Sequence, residues 1–253
     1  MSDAPSSPGR LVREAEFHDH LYSKGVRQTA EKFYVITHRS RAAYKQLLLQ
    51  DAARGARVLE YGCGQGSHAF DLASAGAHVT GIDISSVAIE QSILEARERS
   101  LSSRADFFVM NAEKTTFADN TFDLVCGTSI LHHLNLAVSY GEIARILKPG
   151  GRAIFVEPLG HNLAINWYRR RTPAMRTVDE HPLLMDDLRL ARSFFSKVDL
   201  KYYHCLDLLA VPLRDTFLFG PVSAIAAGAD QLLMTIIPPF RRWAWMVTMI
   251  MKK

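Results

Sequence analysis

The hydrophobic positions along the chain change their spacing after residue 50, and this change predicts where helices give way to strands. In the segment 14–50 the apolar residues recur at three- and four-residue intervals with few helix breakers, which is typical of helices. Beyond that segment, short apolar runs alternate with helical stretches. Five of these runs are predicted to be strands, at 57–60, 78–83, 106–110, 122–127 and 152–157.

Strands and helices that alternate in this way predict an α/β fold with a mostly parallel sheet and helices on both faces. The right-handed crossovers of such units place a ligand crevice at the carboxyl ends of the strands. Further along, 186–196 is predicted to be helical and 197–205 to be a strand. The run 243–251 is apolar almost throughout, which predicts a final strand buried on both faces.

Length and composition favour one soluble domain. The 253 residues are 48% hydrophobic and 22% charged, which suffices for one sizeable core. The net charge is +4, but acids and bases are interspersed, which argues against a nucleic-acid partner. Three widely spaced cysteines predict the reducing cytoplasm, and the apolar stretches are too interrupted to predict a spanning helix. The residues 1–13 are predicted to be a disordered tail before a single domain, 14–253.

A glycine-rich turn follows the first predicted strand and is a candidate ligand-binding site. Gly62 and Gly64 can adopt positive φ and have no Cβ to hold a ligand away. Asp83 ends the next strand, where an acid can accept hydrogen bonds from ribose hydroxyls. These features also describe dinucleotide-binding enzymes. Glu60 distinguishes a dinucleotide from another kind of ligand. A carboxylate at this position would repel a pyrophosphate but suits a ligand that carries an ammonium and a sulfonium.

Five segments in this order resemble the motifs of the class I S-adenosylmethionine-dependent methyltransferases. They are Val-Leu-Glu-Tyr-Gly-Cys-Gly-Gln-Gly at 58–66, Gly-Ile-Asp-Ile-Ser at 81–85, Asn-Ala-Glu at 111–113, Leu-His-His-Leu at 131–134 and Leu-Lys-Pro-Gly-Gly at 147–151. The resemblance covers 57–157 and points to the small-molecule branch. It implies a Rossmann-like sheet of seven strands, with the last strand antiparallel and inserted beside the fifth.

The resemblance also implies the cofactor and the residues that bind it. S-adenosylmethionine would have its ammonium held by Glu60 and its ribose by Asp83, and would lie against the backbone of the glycine turn. The family usually has Asp at the position of Asn111, which can still accept from the adenine amino group but also brings a donor. The full set of expected cofactor contacts is Glu60, Gly62, Cys63, Gly64, Asp83, Ile84, Asn111, Ala112, Glu113 and Thr128.

Candidate catalytic residues follow the fourth and fifth strands. His132 and His133 could act as a base or orient the methyl acceptor, or could form a structural cap that positions the cofactor loop. Glu157 could polarise the acceptor or pair with an arginine. A base is needed only when the acceptor must lose a proton. The chain shows no pattern that requires a resident metal, although acids near arginines would also suit a magnesium–diphosphate substrate.

Two insertions, 158–182 and 206–240, are expected on the acceptor side of the core, with 14–50 as a helical lid. In the first, His161, Asn166 and Tyr168 are candidate acceptor contacts, and the arginines at 169–171 either hold an anionic group or pair with local acids. The second is strongly apolar. A lid over an apolar pocket and core packing are favoured for it over contact with a membrane.

The function predicted from these features is methyl transfer to a small, lipophilic acceptor. Methylation of RNA or protein, and a non-catalytic partner subunit that binds the cofactor, are the alternatives. A dinucleotide-dependent oxidoreductase is a further one. The sequence does not specify the acceptor, the methylated atom or the oligomeric state.

Overall fold

Seven strands form one sheet in the part of the chain that the computed structural model describes, residues 8–24, 31–52, 54–173, 177 and 179–253. The strands are β1 (Arg57–Tyr61), β2 (His78–Asp83), β3 (Ala105–Val109), β4 (Phe122–Thr128), β5 (Leu147–Pro158), β6 (Lys197–Tyr203) and β7 (Met246–Lys252). Their order in the sheet is β3-β2-β1-β4-β5-β7-β6. The strands β1 to β5 are parallel, and β7 runs antiparallel between β5 and β6. The predicted sheet is therefore confirmed, with its last strand beside the fifth.

Helices cover both faces of this sheet. They are α1 (Pro8–Lys24), α2 (Glu31–Tyr34), α3 (His38–Asp51), α4 (Ala69–Ser74), α5 (Ser86–Glu98), α6 (Leu136–Ile146), α7 (Leu163–Arg171), α8 (Met185–Leu190) and α9 (Phe219–Ile236). Three of these helices have an N-cap side chain. Ser85, Asn135 and Asn162 each accept a hydrogen bond from the backbone N–H three residues later.

Alternate residues of the central strands enter two separate cores, one on each face of the sheet. In β1, Val58 belongs to one core while Leu59 and Tyr61 belong to the other. In β5, Ile154 and Phe155 divide in the same way. This period of two follows from the pleat of a strand, and burial on both faces explains why these runs are continuously apolar.

The side chain of Tyr44 fixes α3 to the end of β4. Its hydroxyl donates to the carbonyl oxygen of Gly127 at 3.0 Å and accepts from the N–H of the same residue at 3.1 Å. A Cβ at Gly127 would lie 2.7 Å from the carbonyl oxygen of Tyr61. Only glycine therefore fits here, and the carboxyl ends of β1 and β4 are held close together.

The N-terminal region departs from its prediction. The helical segment expected over 14–50 is divided into α1, α2 and α3. Because α1 begins at Pro8, residues 8–13 of the expected tail are helical, while residues 1–7 lie outside the described part. Contacts with the rest of the domain, described below, explain why this polar segment folds as a helix.

Two regions near the C-terminus also differ. The strand expected over 243–251 begins only at Met246, because Trp243 ends a 3-10 turn, Pro238–Trp243, and Trp245 is buried outside the strand.

The expected insertions contain α7 and α9. By length and composition α9 could cross a membrane, with a mean hydropathy of 1.2, although the sequence did not predict a spanning helix.

Candidate active site

The glycine turn leaves β1 with three residues in the left-handed region. Gly62, Gly64 and Gly66 have φ of 66°, 52° and 77°. A Cβ at Gly64 would lie 2.6 Å from the hydroxyl oxygen of Tyr22, which projects from α1. Glycine is required here both for the backbone conformation and for this close approach.

Glu60 lies beneath the turn and ties it to α4. Its carboxylate accepts from the hydroxyl of Ser67 at 2.8 Å and from the backbone N–H groups of His68 and Ala69 at 2.9 and 2.8 Å. Burial raises the pKa of Glu60 to about 7, against the effect of these three donors. The carboxylate thus shapes the turn from below, and its expected contact with a ligand ammonium stays a prediction.

Asp83 joins the glycine turn to the start of α5. One carboxylate oxygen accepts from the N–H of Gly64 at 2.8 Å and the other accepts from the N–H of Ser85 at 2.9 Å. The side chain also lines a cleft at the carboxyl edge of the sheet. It is therefore positioned to accept hydrogen bonds from a polar ligand while it holds the turn in place.

A cleft of about 110 Å³ lies between this edge of the sheet and α1. Six of the expected cofactor contacts line it, namely Gly62, Asp83, Ile84, Asn111, Ala112 and Thr128. The remaining four are not in its lining: Glu60, Cys63 and Glu113 are buried, and Gly64 faces Tyr22. The apolar walls include Met110, Ile130 and Leu134, which suit a flat aromatic group such as a base.

Helix α1 lies across the cleft and is held there by charged contacts. Arg10 donates to a carboxylate oxygen of Glu113 and, at 2.9 Å, to the carbonyl oxygen of His133. A carboxylate oxygen of Glu14 lies 3.2 Å from Nδ1 of His133. Asp19 accepts from the hydroxyl of Ser85 at 2.5 Å.

The pKa of Glu14 reflects these contacts. Burial would raise it, but the ring nitrogens of His133 and His18, which lie 3.2 and 3.5 Å from Oε2 of Glu14, outweigh burial and hold the pKa well below its usual range. Glu14 is therefore ionised. The segment 14–50 was expected to be a helical lid, and within it α1 is the helix that lies over the cleft. Leu11, Glu14, His18 and Tyr22 line the cleft at a helical spacing, but Leu11, Glu14 and His18 were not among the expected contacts.

His132 and Glu157 form a buried pair behind a second cavity. Nδ1 of His132 lies 2.7 Å from Oε2 of Glu157, whose other oxygen accepts from the N–H groups of Ile130 and Leu131 at 2.9 and 2.8 Å. Burial raises the pKa of Glu157 to about 7, and burial lowers the pKa of His132 well below 6.5. The imidazole is thus neutral, and His132 lines that second cavity.

That second cavity is aromatic and has a volume of about 170 Å³. The ring centroids of Phe33 and Tyr168 are 4.7 Å apart, and those of Tyr34 and Trp245 are 5.7 Å apart. The full lining is Phe33, Tyr34, Ser129, His132, Pro158, Ile165, Tyr168, Arg169, Glu180, Trp245 and Met246. Of the three residues expected to contact the acceptor, Tyr168 is in this wall.

The other two expected acceptor contacts have structural partners instead. Asn166 donates to the carbonyl oxygen of Gly160 at 2.7 Å, and Nε2 of His161 accepts from the N–H of Met185 at 3.4 Å. Both therefore shape the loop before α7 outside the two cavity walls, because the turn at Gly160 directs their side chains toward its own backbone and α8. Their roles in acceptor binding receive no support from this geometry.

The arginines of α7 pair locally. Arg169 forms an ion pair with Glu180, and the guanidinium of Arg171 lies 3.9 Å from the ring centroid of Trp167. These arginines were expected either to hold an anionic group of the acceptor or to pair with local acids. The contacts favour local pairing. Among the described residues that line the aromatic cavity, Arg169 and Glu180 are the only basic and acidic side chains, and their charges are opposite.

Among the residues that the structure describes, two groups of side chains have the composition of a metal site. His133 is shared between a group with Glu14 and His18 and a group with His132 and Glu180, and the ligand atoms of each group lie within 4.8 Å of one another. Ion pairs account for both groups, since Glu14 binds His133 and Glu180 binds Arg169. The guanidinium beside Glu180 would also repel a cation.

Comparison with known proteins agrees with the site. Residues 59–155 match the profile of the family described as "Methyltransferase domain". The chain is 34% identical over 139 residues to a sterol 24-C-methyltransferase of Gibberella zeae, covering 53% of this chain and 34% of that protein. It is 40% identical over 118 residues to the aklanonic acid methyltransferase DauC of a Streptomyces species, covering 44% of this chain and 52% of that protein. The chain thus spans between a third and about half of these relatives.

Solved structures show the same fold over almost the whole chain. The geranyl diphosphate C-methyltransferase of Streptomyces coelicolor superposes with a TM-score of 0.65 at 14% identity, and 99% of each chain is covered. That structure of the geranyl diphosphate C-methyltransferase contains S-adenosyl-L-homocysteine. The cleft of this chain fits such a group, because glycines allow close backbone approach, Asp83 offers acceptors and apolar walls offer a slot for a base. Residues 59–155 thus match a methyltransferase domain, and the fold around them is that of solved methyltransferases.

Proposed function

We propose that this protein transfers a methyl group from S-adenosylmethionine to a small, lipophilic acceptor bound in the aromatic cavity. The observation that carries the proposal is the junction of the two cavities. Ser129 lines both of them, and the rings of His132 and His133, with centroids 4.2 Å apart, face one cavity each. A donor in the cleft and an acceptor in the aromatic cavity would meet at this junction.

The residues of the chain supply alignment and proton transfer. When bound, S-adenosylmethionine supplies a methyl group already activated by the adjacent sulfonium. The chain's contribution is to hold the two reactants in line and to exclude water. Helix α1 covers the cleft, and the aromatic walls keep the acceptor side apolar.

His132 is the proposed base for an acceptor that must lose a proton. Glu157 holds the Nδ1–H of the imidazole, so that the lone pair is on Nε2, and His132 lines the aromatic cavity. Glu157 is completely buried and acts as a positioning residue rather than as a contact of the acceptor. Such an arrangement suits oxygen or acidic carbon acceptors.

The cavity walls support the class of acceptor. Four aromatic side chains favour a flat or prenyl-like apolar group, and the pairing of Arg169 with Glu180 leaves no net positive charge for a phosphate. The relatives named above are a sterol methyltransferase and an aklanonic acid methyltransferase. An aromatic cavity of this small size disfavours RNA or protein as acceptor. A reducing, cytoplasmic location belongs to the proposal, since all three cysteines are free thiols.

Calorimetry with S-adenosylmethionine, with NADH as the control ligand, tests cofactor choice. Transfer of a radiolabelled methyl group to a panel of quinols, sterols, polyketide phenols and prenyl alcohols then tests the activity. We expect His132→Gln to lower turnover by about 10²–10⁴-fold with unchanged cofactor affinity. Cofactor binding without turnover on any acceptor would favour the non-catalytic partner subunit. Preference for NADH would overturn the proposal.

A further inference from the structure

The polarity of α9 is reversed relative to a helix on the surface of a water-soluble domain. Its buried positions include Ser223 and Asp230, whereas Ile225, Leu232 and Ile236 are 74%, 60% and 65% exposed. A surface helix normally places its apolar stripe against the core. Here the apolar stripe faces outward and needs a different partner.

The buried face explains how α9 stays attached in this orientation. The carboxylate of Asp230 accepts from the backbone N–H groups of Cys205, Leu206 and Asp207 at 3.0, 2.8 and 3.3 Å. These bonds fasten the helix to the turn that follows β6. A helix with one face fastened in this way cannot be surrounded by lipid, so it can lie in a membrane surface but cannot span the membrane.

The exposed face carries no charge, and its largest side chains are apolar, although Gln231 and Thr235 are also exposed. Between residues 217 and 239 the only charged residue is the buried Asp230. Phe217, which is 88% exposed, and Leu209, which is 74% exposed, extend the surface beyond the helix. Patches of this kind mark interaction sites in soluble proteins.

Cationic and aromatic side chains border this surface at the end of α9. Arg241 and Arg242 follow the helix, and the guanidinium of Arg242 lies 5.3 Å from the ring centroid of Trp243. At the other end Arg214 is paired with Asp215 at 3.1 Å. Arginine and tryptophan beside an apolar face are typical of helices that bind the interface of an anionic bilayer.

The same surface adjoins the proposed acceptor site. The 3-10 turn Asp207–Leu213 packs on one side against α9 and on the other against α2 and the turn Val35–Thr37. Helix α2 carries Phe33 and Tyr34 of the aromatic cavity. The outward face of α9 is therefore separated from the aromatic cavity only by this turn and α2.

We infer that the outward face of α9, with Leu209 and Phe217, docks on the surface of a bilayer that contains anionic phospholipid. The full chain should co-sediment with vesicles of phosphatidylcholine and phosphatidylserine, and less with phosphatidylcholine alone. The double variant Ile225→Glu and Leu232→Glu should lower the apparent affinity for the mixed vesicles by at least about tenfold. The variant Arg242→Glu should remove most of the preference for phosphatidylserine.

A matched control replaces an exposed leucine elsewhere. Leu94 on α5 is 56% exposed, and Leu94→Glu should bind vesicles as the wild type does. Thermal unfolding and S-adenosylmethionine binding of each variant show whether the fold is intact, and transfer to a water-soluble acceptor separates this inference from the proposed activity. Wild-type protein that does not bind mixed vesicles would overturn the inference. A dimer that the double variant converts to a monomer, without vesicle binding, would also overturn it and assign the face to self-association.

Discussion

Nδ1 of His132 lies 2.7 Å from Oε2 of Glu157, and this contact couples the proton of a buried carboxyl to the state of the imidazole beside the aromatic cavity. When Glu157 is ionised it accepts the Nδ1–H, and Nε2 is left with its lone pair. When Glu157 is protonated it donates to Nδ1 instead, and the ring proton moves to Nε2. The protonation of Glu157 therefore decides whether His132 can act as a base.

The first prediction is a dependence of activity on pH. Because burial raises the pKa of Glu157 to about 7, the carboxyl is protonated below that pH and His132 cannot accept a proton. We expect kcat/KM to rise with pH and level off above about pH 7, about tenfold per unit on the acid side. Glu157→Gln should lower the plateau and flatten the profile. An unchanged inflection in this variant would assign the titration to another group, such as Glu60, whose pKa is also raised to about 7.

The second prediction concerns the affinity for S-adenosylmethionine. Asp83→Ala removes two acceptors that hold the glycine turn and the acceptor expected for a ribose hydroxyl. Binding measured by calorimetry should weaken by about 1–3 kcal/mol. Asp106→Ala, on the exposed side of β3, is the matched control and should bind normally. Equal affinities for the two variants would exclude Asp83 from the cofactor site.

The third prediction concerns α1 as the cover of the cleft. Glu14→Gln removes the charge that attracts His133 and His18, so the covered state should be less stable. The dissociation rate of S-adenosyl-L-homocysteine, followed by stopped-flow fluorescence, should rise by about tenfold. Glu16→Gln changes an exposed acid on the same helix and should leave the rate unchanged. If Glu14→Gln behaves as this control does, α1 does not retain the cofactor through this contact.

The fourth prediction concerns stability. Tyr44→Phe leaves the buried N–H and carbonyl of Gly127 without their hydroxyl partner. The free energy of unfolding, measured with urea, should fall by about 1–3 kcal/mol. Tyr34→Phe alters a more exposed hydroxyl and should change it by much less. A loss of equal size in both variants would mean that the Tyr44 hydroxyl has no special role.

The cofactor side of the site was largely predictable from the sequence, because its signals are local. A buried strand shows as a continuous apolar run, and Gly62 and Gly64 stand where the backbone adopts positive φ. Asp83 follows directly at the end of the next strand. Neighbouring residues determine these features, so periodicity and residue type suffice to find them.

The acceptor side was decided by packing between distant parts of the chain. The aromatic cavity brings Phe33 and Tyr34 of α2 against Tyr168 of α7 and Trp245 before β7. Aromatic residues at such separations are equally compatible with a core, and only the tertiary structure shows which rings border a cavity. Tyr168 was predicted among the acceptor contacts, whereas Phe33 and Tyr34 were assigned to the expected lid and Trp245 to the expected final strand.

The sequence by itself determined the α/β sheet, the glycine turn and the apolar character of the segment 206–240. The tertiary structure decided that α1 begins within the expected tail and closes over the cleft, since its partners Glu113 and His133 are about a hundred residues away along the chain. It also decided that α9 turns Asp230 inward and turns Ile225, Leu232 and Ile236 outward. Hydropathy measures how apolar a segment is, but the face that the rest of the fold covers depends on contacts that a linear pattern does not contain.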